Sequence, residues 1–223
     1  MGRLAQTLGV ANTMTSNVLR RYTDLAAVLR TLKTRSITLL PPKTWDDRND
    51  RNLMLAYQQR RKYKTTLAIC FAEAAETYHH WKVFSPGKDG MCVVFDKRRL
   101  TDHLTKLKIR HGLVEYYTLK RLREHEPKID DVPFSKRAAY RDEQEYRALF
   151  CSDKEDLTSK NLEIPVTAVD RIVVNPWLPD VLVGTVREVI NSIPGFDTLE
   201  VLQSKVIDGP AWKEFAGRIS GQL

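Results

Sequence analysis

Tyr140-Arg141-Asp142-Glu143-Gln144-Glu145-Tyr146-Arg147-Ala148-Leu149-Phe150 is the stretch on which the reading of this chain turns. Helical signals across Ser135-Lys136-Arg137-Ala138-Ala139-Tyr140 give way to a β-favouring run that ends at Cys151. The alternation of that run predicts a strand with Glu143, Glu145 and Arg147 on one face and Tyr146, Ala148 and Phe150 turned to a core. Two carboxylates and a guanidinium on one sheet face cost desolvation unless they are used or paired. The stretch therefore predicts either a functional site or an ion-pair ladder on a solvated face.

Outward from it, strands and helices are interleaved without strict alternation. Val18-Leu19-Arg20-Arg21-Tyr22 reads as a strand. Thr23 or Asp24 caps a helix with Leu25, Val28, Leu29 and Leu32 at helical spacing, and Ser36 to Leu40 follows as a second strand stopped by Pro41-Pro42. Further strands are expected over Thr65 to Phe71, Gly90 to Asp96, Leu113 to Tyr117, Leu162 to Val166, Val169 to Val174 and Leu199 to Val206. Helices are expected from about Leu53 to Lys62, Glu76 to Phe84, Lys97 to Lys108 and Pro179 to Ile193. The fold class is α+β (mixed α/β), a single domain over residues 18–223 with a central mixed or split sheet flanked by helices. A flexible leader is expected over residues 1–17.

Bulk composition narrows the function classes. The chain has 223 residues, 42% hydrophobic and 29% charged, as an ordinary globule does, but its formal net charge is +8. A basic balance favours polyanionic partners, nucleic acid foremost, because phosphate contacts release counterions. Arg60-Arg61-Lys62-Tyr63-Lys64, Lys97-Arg98-Arg99 and Lys120-Arg121-Leu122-Arg123 are the densest clusters, the last within a charged connection expected to be a mobile loop reaching Pro133. Cys70, Cys92 and Cys151 have no metal-ligand spacing and read as small core residues in a reducing compartment. No apolar run approaches the length of a membrane span and no signal segment is present, which predicts a cytoplasmic protein without a membrane partner.

Asp46, Asp47 and Asp50 lie close in sequence but lack the glycine and terminal glutamate of a calcium loop, so capping and turn formation is expected of them. His79 and His80 point apart on a helix, which predicts one surface and one core histidine and no metal.

Leu19 to Tyr22, Pro42 to Asp50, Cys70-Phe71-Ala72-Glu73, Trp81 through Gly90 to Asp96, and Asp142 to Arg147 together resemble, over about residues 18 to 190, the bacterial domain-of-unknown-function family 2971. More distantly, the opening strand with Arg21 and the later Glu143-Gln144-Glu145 are similar to the first and third signature elements of ADP-ribosyltransferases. That resemblance implies an NAD-dependent glycosyl-group transferase, of the kind found among toxins and phage-defence effectors, with NAD as substrate. It implies that Arg21 holds the nucleotide phosphates, that Glu145 is catalytic at the ribose, and that Glu143 activates the acceptor. Tyr22 or Tyr78 would stack the nicotinamide, and Arg147 would complete the cofactor-binding set. The middle element departs: where such enzymes carry Ser or Thr, this chain has Ala72. RNA or DNA is the expected acceptor, and a cognate inhibitor is compatible with the resemblance. Two other classes stay open on the residues alone. One is a non-catalytic nucleic-acid or nucleotide-binding module using Glu143, Glu145 and Arg147 as a structural network. The other is a metal-dependent nuclease built on Asp46, Asp47, Asp50 and the glutamates, with a nearby lysine such as Lys136.

Overall fold

The structure is a computed structural model that describes residues 17–220. The expected leader, Asn17 apart, lies outside the described residues. The chain runs β1 (Val18–Asp24), α1 (Leu25–Thr34), β2 (Ser36–Leu39), α2 (Arg48–Arg61), β3 (Thr65–Ala72), α3 (Tyr78–Phe84), β4 (Gly90–Asp96), α4 (Lys97–Lys106) and β5 (Arg110–Leu113). It continues through β6 (Glu115–Tyr117), α5 (Leu119–Glu124), β7 (Ser135–Arg137), β8 (Glu145–Ser152), β9 (Lys160–Glu163), β10 (Val169–Val174), α6 (Asp180–Asn191), β11 (Glu200–Gln203) and α7 (Pro210–Ser220). A seven-stranded sheet in the order β11-β10-β4-β1-β3-β8-β5 forms the centre, with the small ribbons β2-β9 and β6-β7 beside it. Only β10-β11 pairs parallel within the large sheet, so it is mixed and the fold is α+β.

Side-chain alternation divides the sheet into two faces. Leu19, Leu67, Ile69, Phe71, Val93, Phe95, Tyr146, Ala148 and Ile172 point to the main core, which α1, α4 and α6 cover through Val28, Leu32, Leu100, Leu104, Val183, Val186 and Ile190. Tyr146 and Ala148 are core residues, with Phe150 packed against them as the alternation predicts. The opposite face carries two separate clusters. Trp81 of α3 packs on Tyr22, Ala72, Cys92 and Val94, whereas Met54 and Tyr57 of α2 pack on Ala68 and Leu149. The face that bears Glu145 and Arg147 is thus covered by a helix, which removes the solvated-ladder alternative.

Between these two clusters the sheet parts. β1 and β3 share one register pair, Arg20↔Ala72, whereas β1 and β4 are paired along seven residues. Beyond Arg20 the backbone of β3 turns to other partners: Ala68 exchanges both hydrogen bonds with Leu40, at 2.9 and 3.0 Å, and the Cys70 carbonyl accepts the Arg21 guanidinium at 3.0 Å. A sheet normally satisfies these groups strand to strand. Here a side chain and a crossing segment do so, and the wedge left between β1 and β3 is the cleft described below.

Several boundaries differ from those the sequence predicts, each for a local reason. Asp47 caps α2 by accepting from the Asn49 amide at 2.9 Å, so the helix begins at Arg48 rather than Leu53 and takes Asp50 into its first turn. Asp24, not Thr23, caps α1, accepting from the Ala27 amide at 2.8 Å. The charged connection after Tyr117 is not a loop throughout, because Thr118 caps the short helix α5. The helical signals at Ser135–Tyr140 resolve into β7 followed by a 3-10 turn, Ala138–Glu143. The terminal helix α7 has no counterpart in the sequence expectations. Among the described residues, no helix is long and apolar enough to cross a membrane.

Candidate functional site

The wedge between β1 and β3 opens into a cleft of about 720 Å³, bounded by Arg21 to Asp24 of β1, Ala68 to Ala72 of β3, the N-terminal side of α2, the C-terminal side of α3, and Lys136, Tyr140, Glu143 and Glu145. That volume lies in the range of small-molecule sites, roughly 300–1,000 Å³. Trp45 and Phe84 present aromatic surface into it, and Leu40 and Pro86 add apolar lining.

Its polar wall is a single ionic cluster built from four elements. Glu145 opens β8 directly across from Ala72, and Arg147 lies across from Cys70, so all four side chains project to the same face. Arg147 is wholly buried, at 0% exposure. Its Nε donates to Glu145 Oε1 at 2.7 Å, one terminal nitrogen to Asp50 Oδ2 at 2.8 Å, and the other to the Pro133 carbonyl at 2.7 Å and Asp50 Oδ1 at 3.3 Å. The Trp45 ring stacks 4.6 Å from its guanidinium carbon. Lys136, on β7, donates to Glu143 Oε2 at 2.6 Å and Glu145 Oε2 at 3.0 Å, with Asp50 Oδ2 at 4.0 Å. The Glu145 amide donates to the Tyr116 hydroxyl at 2.8 Å, which ties the start of β8 to β6, the partner strand of β7.

Glu143 does not alternate out of the strand with Glu145. Gln144 between them takes the left-handed conformation, φ 42°, and ends the 3-10 turn, so Glu143 returns to the cluster from the turn. Two glutamates reach one lysine by this reversal, where a regular strand would have set them a full repeat apart.

Three carboxylates, Asp50, Glu143 and Glu145, meet two cations, Lys136 and Arg147, which leaves one formal negative charge on the cluster. The carboxylates are not equivalent. Burial would raise the Glu145 pKa, but Arg147 and Lys136 together outweigh it and hold the group ionised, at about 2. Burial raises Glu143, and Lys136 offsets this only in part, while the Glu145 and Asp50 charges push the same way as burial. Its side chain is 17% exposed against 5% for Glu145. Among the described residues, Glu143 Oε1 has no hydrogen-bond partner. Asp50 is likewise raised, by burial first and against the pull of Arg147.

Arg21 makes no ion pair with this cluster, although the Glu145 charge acts on it. Burial lowers its pKa from the ordinary 12.5, which leaves it a cation at any neutral pH. Among the described residues, its one hydrogen bond is to the Cys70 carbonyl and no carboxylate lies within ion-pair distance. A half-buried guanidinium in a cleft, without an ion-pair partner, is a ready anion site.

The other expected site residues fall as follows. Tyr22 borders the cleft but is 7% exposed, its ring wedged between His80 at 5.4 Å and Trp81 at 5.1 Å. Tyr78 is outside the cleft lining, 46% exposed, edge-on to Trp177 at 5.5 Å with Lys82 over both rings. Arg147 sits beneath Glu145 with its donors spent inside the protein. Ala72 does line the cleft, and across from Glu145 it offers a methyl where a hydroxyl would have been a hydrogen-bond partner. His80 is buried and His79 exposed. Phe84 and Trp45 were not legible as site residues, and Asp50 was expected at a site only in the nuclease alternative. Asp50 carried a signal only as the third acid of Trp45-Asp46-Asp47-Arg48-Asn49-Asp50.

Asp50, Glu143 and Glu145 converge, as a nuclease would require, but on an ammonium and a guanidinium. Among the described residues, no three of His, Cys, Asp or Glu stand where they could hold a metal ion.

No family model matches the chain, so the resemblance to family 2971 gains no support there, and no curated protein sequence matches it. Solved structures of DarT from Thermus sp. 2.9 are similar in overall shape. The complex with ADP-ribosylated ssDNA has 10% identity and a TM-score of 0.45, covering 85% of this chain and 95% of that one. The complex with carba-NAD+ has 9% identity and a TM-score of 0.44, covering 85% and 96%, and the complex with NAD+ has 10% and 0.43, covering 85% and 96%. A likeness this distant transfers no residue's role to this chain.

Proposed function

We propose that the protein is an NAD-dependent ADP-ribosyltransferase that modifies nucleic acid. One observation carries the reading: a single cleft holds both a half-buried guanidinium without an ion-pair partner, Arg21, and a buried carboxylate kept ionised, Glu145. The NAD pyrophosphate needs the first, whose planar fork spans two oxygens. Heterolysis of the nicotinamide glycosidic bond needs the second. The bonding electrons leave with nicotinamide, positive charge develops at the anomeric carbon and ring oxygen, and a preorganised carboxylate stabilises that charge where it forms. Arg147 acts from beneath by fixing the Glu145 rotamer. Glu143, with its raised pKa and an oxygen without a partner, takes the proton of the incoming nucleophile. Phe84 and Trp45 supply the faces on which the cleft can stack a nucleotide ring.

The acceptor assignment rests on charge. The net charge is +8, and Arg137 and Arg141 lie exposed on the segment that carries Glu143, where an acceptor strand would approach. The test is nicotinamide release from NAD, with and without single-stranded DNA, duplex DNA and RNA, followed by mass analysis of the nucleic acid. Arg21→Gln and Glu145→Gln are measured beside the parent protein, with circular dichroism to establish folding. Release that a nucleic acid stimulates and both variants lose supports the reading. A folded parent protein that neither releases nicotinamide nor binds NAD sinks it.

A second reading has its own support. Every polar group of Arg147 is satisfied internally, as in a purely structural network. On that reading the protein binds nucleic acid without chemistry, and Glu145→Gln unfolds it while NAD has no effect on its melting.

A further inference from the structure

We infer that Lys136 is a positioning residue that gives the paired glutamates different duties, holding both carboxylates at one point while leaving one oxygen of Glu143 free for a proton. The inference rests on the transferase reading for its catalytic meaning, but its geometry stands independently. Lys136 bonds one oxygen of each glutamate, at 2.6 and 3.0 Å, with its side chain 9% exposed. It is placed from outside the large sheet. β7 is three residues long and pairs in register with β6, Tyr116 opposite Lys136, and the Tyr116 hydroxyl takes the Glu145 amide. The small β6-β7 ribbon thus grips Glu145 by backbone and side chain together.

The consequence is asymmetric. Glu145 has a second cation, Arg147, on its other oxygen, so its charge survives the loss of Lys136. Glu143 has Lys136 alone. The groups facing Glu143 otherwise raise its pKa or leave it alone: Glu145 from β8 and Asp50 from α2 are both negative, the Tyr140 ring on its own turn lies against Lys136, and Tyr116 from β6 is neutral at physiological pH. Removing the ammonium therefore leaves nothing to keep Glu143 ionised, and the proton acceptor is lost before the charge-stabilising group is.

The test is a carbon-detected NMR titration of the glutamate carboxyls in the parent protein, Lys136→Met and Lys136→Arg, with the pH profile of nicotinamide release measured alongside. In the parent, Glu143 should titrate above and Glu145 below the ordinary glutamate range. In K136M, Glu143 should move up by about one pH unit or more, with Glu145 still low. K136R, which keeps the charge, should restore most of the separation. The acidic limb of the activity profile should follow Glu143 upward in K136M. Coincident titrations of the two glutamates in the parent protein would overturn the inference even if K136M does not fold. So would a K136M profile that loses amplitude without shifting. A parent protein that shows separated titrations but releases no nicotinamide would retain the positioning role and remove only the transferase reading.

Discussion

Replacing Arg147 by Met should be the most damaging single change in the molecule outside its apolar core. The side chain is at 0% exposure and supplies hydrogen bonds to Glu145, Asp50 and the Pro133 carbonyl, with Trp45 over its plane. Met fills similar volume, so packing loss is small. The electrostatic loss is not: two buried carboxylates are left with Lys136 as their nearest remaining cation, and the cluster goes from one excess negative charge to two. Breaking a buried pair in this way costs about 3–5 kcal/mol. The deficit should depend on pH with a definite sign. Asp50 is already raised above 3.8 by burial, and losing Arg147 removes its principal lowering influence, so the folded variant holds a proton on Asp50 more tightly still. A carboxyl whose folded pKa is raised contributes stability that is fully present below its unfolded pKa and is lost as pH rises through the folded value. The gap between parent and variant should therefore be widest near pH 7 and narrow as pH falls toward 3.8. Urea unfolding followed by tryptophan fluorescence, at several pH values between 4 and 8, measures it. A variant within about 1 kcal/mol of the parent at pH 7, or a gap that does not change with pH, would refute the view of Arg147 as the charge that makes this cluster viable.

Four further outcomes are expected. Arg21→Gln should change stability by no more than about 1 kcal/mol, since the one hydrogen bond it gives up, to the Cys70 carbonyl, is offset by removal of a half-buried charge without an ion-pair partner. It should weaken NAD binding by about 10- to 100-fold, the worth of charge-assisted hydrogen bonds, read by calorimetry. Glu145→Gln should abolish nicotinamide release and also lower stability, because the new amide must turn its NH₂ toward either Arg147 or Lys136, donor against donor; thermal melts check the second effect. Asp24→Ala removes the α1 cap and should cost about 1 kcal/mol in urea unfolding. Nucleic-acid affinity should fall steeply between about 50 and 200 mM salt if phosphates are contacted, and a flat response in a filter-binding series would argue against a nucleic-acid acceptor.

The elements were legible in the sequence because their signals are local. Leu25, Val28, Leu29 and Leu32 repeat at helical spacing, Gly90 to Asp96 is a continuous apolar run, and Tyr146, Ala148 and Phe150 alternate. Each pattern is a direct record of which side of the element meets the core. The pairing of Glu145 with Arg147 is local in the same sense, two residues apart on one face of a strand. What sequence could not provide was every contact that depends on strand order. The parting of β1 from β3 arises because Leu40 and Arg21 take up the backbone groups of β3 that β1 leaves. No residue in either strand announces that. Asp50 joins Arg147 from a helix 97 residues away in the chain, because Asp47 caps α2 early and α2 packs through Met54 and Tyr57 on Ala68 of β3 and Leu149 of β8. Glu143 joins Lys136 through the left-handed Gln144, a conformation that a non-glycine residue does not advertise. The sequence by itself determined which surfaces would be buried, since periodicity encodes burial. The tertiary structure alone decided which charges would meet, since a charge finds its partner through the packing of distant elements, and the cleft exists only where that packing leaves two strands unpaired.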